Sequence, residues 1–142
     1  MALNVYLDAS LLVPLFIQDR FTARAQAFLS TGELVLHVSD FAETEFASVM
    51  SLKVRKRDLT REEALGAFAA FDLWKATEPN QEFAETADIQ RAGALLRRLD
   101  LNLRAPDAIH IAIALRAGAA LATFDSRMAE CAEALGLALA PA

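Results

Sequence analysis

The chain has 142 residues, a formal net charge of −5 and 55% hydrophobic residues. That length predicts a single domain spanning 1–142, able to bury roughly two-thirds of its unfolded surface without a disulfide or structural metal. The acidic balance argues against a protein that coats nucleic acid by bulk charge. A lone cysteine, Cys131, excludes an internal bridge and fits a reducing cytoplasm.

The N-terminal stretch MALNVYLDASLLVPLFIQ is apolar, but it lacks a basic lead-in and carries Asp8 in mid-run. It predicts a strand over Asn4–Leu7 and a short helix over Ser10–Ile17 rather than a signal peptide or a membrane span. A helical pattern over Phe21–Ser30, a strand over Leu34–Val38 and a helix over Asp40–Arg57 follow. The next helix, Arg61–Lys75, is announced by Thr60 with Glu63 three residues on, the signature of a capping box. A strand near Thr77–Glu78 is asked for by topology more than by pattern. Helices over Phe83–Leu99 and Pro106–Ala117, a strand over Ala120–Thr123, a helix over Ser126–Leu135 and a weaker strand over Leu137–Ala140 complete the series. Strands alternating with helices predict a parallel sheet covered on both faces. The high apolar content hints that a partner covers part of the surface.

Four acids stand out against this frame. Asp8 closes the first strand, Glu45 lies one turn into the helix after the second, Asp107 opens a helix after Pro106, and Asp125 follows the strand Ala120–Thr123. Helices in a parallel sheet start near the carboxyl edge of the preceding strand, so all four converge on one edge, where open α/β sheets bind ligands. Taken singly, Asp8, Asp107 and Asp125 also fit as helix caps or first-turn acids. Glu45 falls on the apolar side of FAETEFASVM, where an unpartnered carboxylate is costly. Clustered carboxylates repel one another unless a cation binds them, so the set predicts a metal site.

The cationic clusters Lys53–Arg57 and Arg97, Arg98 and Arg104 fit solvated faces and helix C-termini. Lys53–Arg57 and Arg127 are also candidates for holding phosphates. Phe41, Trp74 and Phe124 suit a core role better than base stacking, and His37 and His110 read as packed histidines with no motif to orient them. Cys131 reads as a buried helical residue, not a nucleophile.

The ordered motifs VYLDAS, SDFAETEF, RAPDAIHIAIAL and LATFDSRM resemble PIN-domain ribonucleases over Leu3 to Leu139, with the nearest look to VapC-type toxins of toxin–antitoxin pairs. The resemblance implies that Asp8, Glu45, Asp107 and Asp125 form a catalytic and metal-binding quartet, with Asp8 and Asp125 in direct contact with the ion. It places Ser10 and Thr123 beside the quartet as supporting hydroxyls. It further implies Mg²⁺- or Mn²⁺-dependent endoribonuclease chemistry leaving 5′-phosphate ends, a VapB-like antitoxin partner, a homodimer and a cytoplasmic location. The helices Ala9–Ile17 and Asp40–Met50 are the expected groove walls for the antitoxin. The architecture expected is α/β: a three-layer α/β/α domain with five mainly parallel strands in order 3-2-1-4-5.

Aspartyl-phosphate chemistry, as in dehalogenase-like phosphatases or receiver domains, also places an Asp after the first strand. Both need a lysine from the later half of the domain, and the lysines here are Lys53, Lys56 and Lys75. A PIN nuclease of general RNA processing, or a catalytically silent PIN-like binding module, stays as the alternative.

Overall fold

The strand LNVYL alternates its side chains so that both faces are apolar, and such a strand is stable only between two covering layers. In the computed structural model, which describes residues 2–142, this segment is β1 (Leu3–Leu7) and lies inside the sheet. Val5 and Leu7 enter one core cluster while Tyr6 enters the other, and all three are fully buried. β1 pairs in parallel with β2 (Leu34–Ser39) on one side and β4 (Ala120–Ala122) on the other. β3 (Asn80–Glu82) pairs in parallel outside β2. The order is β3-β2-β1-β4.

The helices α1 (Ala9–Phe16), α2 (Thr22–Leu29), α3 (Asp40–Arg55) and α4 (Arg61–Thr77) supply the first core cluster. On the other face lie α5 (Thr86–Arg97), α6 (Ala105–Ala117) and α7 (Ser126–Ala134). Phe16 meets Phe46, Phe71 and Trp74 at steep interplanar angles, with centroids 5.4–5.7 Å away, and this aromatic knot locks α1, α3 and α4 together. Trp74 is therefore a packing residue. Thr60 and Glu63 form the expected capping box. Cys131 is buried in α7.

Two expectations need correction. The fifth strand shrinks to one parallel bridge, Leu121 to Leu139, held by Leu121 N–H on the Ala138 carbonyl and Ala140 N–H on the Leu121 carbonyl. Pro141 follows at once and has no N–H to extend the ladder. The third strand lies at Asn80–Glu82, not near Thr77–Glu78, because α4 continues through Thr77 and Pro79 then stops it. The start of α5 moves accordingly to Thr86, where Glu85 caps it and donates its N–H to Asp88 at 2.8 Å.

This topology sets the site. From β1 the chain winds one way through β2 to β3, then crosses back to β4 on the other side of β1. The order therefore switches between β1 and β4, and the crevice beyond their carboxyl ends is the place where such sheets hold ligands. Among the described residues no helix is long and apolar enough to cross a membrane.

Candidate active site

At that switch point a cavity of about 280 Å³ is lined by Asp8, Ser10, Glu45, Arg104, Asp107, His110 and Asp125, with Ala9, Pro106 and Met128. All four expected acids meet there. The competing expectation of helix capping holds as well. Asp8 accepts the Leu11 N–H at 3.3 Å, Asp125 the Met128 N–H at 3.1 Å, and Asp107 the Arg104 N–H at 3.2 Å. Capping is what aims these carboxylates: the first turn of each helix fixes its acid at the sheet edge.

Asp8 is 2% exposed and held from both sides. Ser10 Oγ donates to Oδ1 at 2.7 Å and Thr123 Oγ1 donates to Oδ2 at 2.6 Å. Thr123 Oγ1 in turn accepts the Asp125 N–H at 3.0 Å, so the two hydroxyls predicted beside the quartet tie the β1 and β4 ends together. Burial pushes the Asp8 carboxyl above its ordinary range, against the opposing pull of the hydrogen bonds from Thr123, Ser10 and the Leu11 amide. Such a carboxylate gains most from a nearby cation.

Glu45 corrects one expectation and His110 another. Glu45 is not a buried orphan: its side chain is about a third exposed and its Oε1 contacts His110 Nε2. Glu43 points away to Lys75 of α4, at 2.8 Å. His110 is packed as expected, at 1% exposure, but it is also oriented. Its Nδ1 lies 2.6 Å from the Tyr6 hydroxyl, Tyr6 lies 2.7 Å from Ser39 Oγ, and Phe41 packs edge-on against the imidazole. Ser39 Oγ also caps α3 by accepting the Ala42 N–H at 2.9 Å. One hydrogen-bond assignment satisfies every member: Ser39 donates to Tyr6, Tyr6 donates to Nδ1, and Nε2–H donates to Glu45. Burial above all raises the Tyr6 phenol well beyond its usual range, so it stays a neutral donor.

Arg104 is exposed to solvent as expected, and it also borders the cavity, its Nε 3.8 Å from Asp107 Oδ2. Arg127 Nη2 lies 4.0 Å from the same oxygen, and Arg127 Nε is buried without a hydrogen-bond partner. The Lys53–Arg57 cluster is elsewhere. Lys53 and Arg55 lie about 12–15 Å beyond Glu45 along the axis of α3, at its far end. There Arg55 and Arg61 border a second cavity of about 250 Å³ between α3 and α4, lined by Met50, Val54, Leu65 and Phe68. That apolar concavity is walled by the third and fourth helices, and α1 does not line it.

The donor set at the first cavity is carboxylate and hydroxyl oxygen, which suits a hard divalent ion. Among the described residues no three His, Cys, Asp or Glu side chains converge closely enough to enclose one. Carboxylate oxygens of this kind can serve a hydrated divalent ion, which takes one or two carboxylates and keeps several waters.

A family profile described as PIN domain matches residues 5–134. The chain belongs to the PIN-domain family. Among curated PIN relatives, Ribonuclease VapC45 of Mycobacterium tuberculosis is 34% identical over 97% of this chain and 95% of its own. Among solved structures, M. tuberculosis VapC20, described as a sarcin-ricin loop cleaving toxin, superposes with a TM-score of 0.71 at 20% identity over 94% of this chain and 95% of that one. VapBC2 of Rickettsia felis, bound to a promoter DNA fragment, gives 0.67 at 13% identity over 96% and 97%. These two likenesses establish the PIN fold.

Proposed function

We propose that this PIN domain is a metal-dependent endoribonuclease and the toxin of a toxin–antitoxin pair. The observation that carries the reading is the convergence of Asp8, Glu45, Asp107 and Asp125 on one cavity at the switch point of the sheet. The length-wide identity to Ribonuclease VapC45 supports RNA as the substrate.

The catalytic roles divide by geometry. Asp8 and Asp125 stand at the ends of β1 and β4, linked through Thr123, and are the proposed direct ligands of Mg²⁺ or Mn²⁺. When bound, the ion supplies a water of lowered pKa and charge stabilisation at the phosphoryl oxygens. Ser10 and Thr123 fix the rotamer of Asp8. Glu45, held by His110, is placed to orient the attacking water and take its proton at Oε2. Arg104 and Arg127, beside Asp107, reach out to neutralise the scissile phosphate. Cleavage by water at phosphorus leaves a 5′-phosphate and a 3′-hydroxyl. We assign the α3–α4 concavity to a segment of a VapB-like antitoxin, the chain itself to a homodimer, and its location to the cytoplasm.

The test is sequencing of 5′-phosphate RNA ends after induction, with Asp8→Asn as control. New ends at defined positions, absent from the control, are the expected result. Identical end profiles with the two proteins overturn the reading.

A further inference from the structure

We infer that the stacked rings of Phe21 and Phe124, with Arg20 and Arg24 over them, form a subsite for single-stranded RNA on the rim of the acidic cavity. The inference rests on the nuclease reading and adds how the strand is gripped beside the cut.

Phe21 stands just before α2, its N–H bound to Asp19 Oδ1 at 2.7 Å. Its ring stacks on Phe124 with centroids 4.9 Å apart and planes 14° from parallel. The Arg20 guanidinium lies 4.7 Å from the Phe21 centroid. That of Arg24 lies 4.7 Å from Phe124 and 5.9 Å from Phe21. Both arginines are exposed and both rings are half-buried. Among the described residues neither arginine pairs with an Asp or Glu. Arg24 Nη2 donates instead to the Ala142 carbonyl at 3.0 Å. Arg20 is thus a cation with no acidic partner among the described residues, in a chain of net charge −5.

The position is tied to the chemistry. Phe124 sits between Thr123, which donates to Asp8, and Asp125. Its own N–H donates to Ser10 Oγ at 2.9 Å, and Ser10 donates to Asp8. Subsite and cavity thus share one loop. The acids that would bind a cation repel neighbouring phosphates, so a substrate strand needs cations close by to stay in place. A guanidinium lying on a phenyl ring is fixed in plane, keeps N–H groups at its edge for phosphate, and offers its outer face to a base. Stacking of that kind needs unpaired bases and reads no sequence.

The competing role is a purely structural staple that holds α2 to the β4–α7 loop. Binding of a dye-labelled, unstructured oligoribonucleotide to the full chain, measured by anisotropy across a salt series, separates the two. The parent is Asp8→Asn, so that no RNA is cut. Adding Arg20→Gln and Arg24→Gln together should weaken binding about tenfold and reduce the slope of log K against log salt by about 1.4, for two lost phosphate contacts on a single strand. The melting temperature should hold. In the Asp8 protein the same pair should raise KM and leave kcat within about twofold. Phe124→Leu, which keeps bulk but removes the ring, should weaken binding without the change in salt slope. Unchanged affinity and slope, with or without a lowered melting temperature, assign the cluster to a staple and overturn the subsite. Equal loss on a duplex RNA overturns the single-strand assignment. If the Asp8 protein cuts no RNA while the double substitution still weakens binding, the nuclease reading fails and the subsite stands.

Discussion

His110 Nε2 meets Glu45 Oε1 at the rim of the acidic cavity, joining two residues 65 positions apart. Behind that contact the Tyr6 hydroxyl holds the other imidazole nitrogen, so the ring cannot turn away from Glu45.

On the proposed mechanism, His110 acts as a positioning residue for Glu45. His110→Phe fills the space without a donor and should lower kcat about 10–100-fold, the usual cost of losing a partner behind a site carboxylate. Tyr6→Phe should act more on stability, by about 1–3 kcal/mol, because it leaves Ser39 Oγ and His110 Nδ1 short of a buried partner. Single-turnover kinetics and urea melts of both variants check this. Full activity in His110→Phe would remove the histidine from the account.

Further along α6, Arg116 holds the exit of the short β3. It donates to Asp88 at 2.9 and 3.0 Å and to the Phe83 carbonyl at 2.8 Å, and it approaches Glu82 and Glu85. Burial works against the Asp88 ion, but the bonds from Arg116 and the Glu85 amide prevail and hold its pKa below the ordinary value. A depressed pKa gives stability that is complete above the unfolded-state pKa of about 4 and lost as the pH falls through the folded one. Asp88→Asn should cost roughly 2–4 kcal/mol at pH 6 and flatten the loss of stability between pH 4 and pH 2. Urea melts across that range measure it, and parallel curves for the two proteins would contradict it.

The placement of Glu45 depends on the next residue. Phe46 is buried and stacks on Phe71 of α4 with centroids 4.8 Å apart. Phe71→Ala should destabilise the fold by about 3–5 kcal/mol. It should also depress cleavage at temperatures where the protein remains folded, since α3 loses the surface that sets its height. A stability loss with kcat unchanged would show that α3 is positioned by the sheet alone.

The acids were legible because each lies near punctuation: Asp8 and Asp125 at or just after strand ends, Asp107 after Pro106, Glu45 one turn into the helix that follows a strand. Local spacing carried that information. His110 was not legible in its role, since its partners are Tyr6, 104 positions away, and Glu45. The one local clue was its place a helical turn from Asp107. Arg104 is solvated as its sequence position suggests, and only its place at the cavity, beside Asp107, was not legible. The polar β3, NQE, has no strand pattern of its own. It is held by pairing to β2 and by His37, which bonds Glu82 and Asn4 at 2.9 Å each.

Asp8 carries the central claim. It is buried, held by two hydroxyls and raised in pKa by burial, so its ionised form gains from a nearby cation, the role proposed for the metal ion. The direct measurement is cleavage of a defined RNA by purified protein in Mg²⁺ or Mn²⁺, in excess EDTA, and with Asp8→Asn, beside melting curves without metal. The account predicts cleavage with added ion only, no cleavage by Asp8→Asn, and a metal-free melting temperature for that variant equal to or above the parent. Equal cleavage in EDTA, or an Asp8→Asn protein that still cuts, would contradict it.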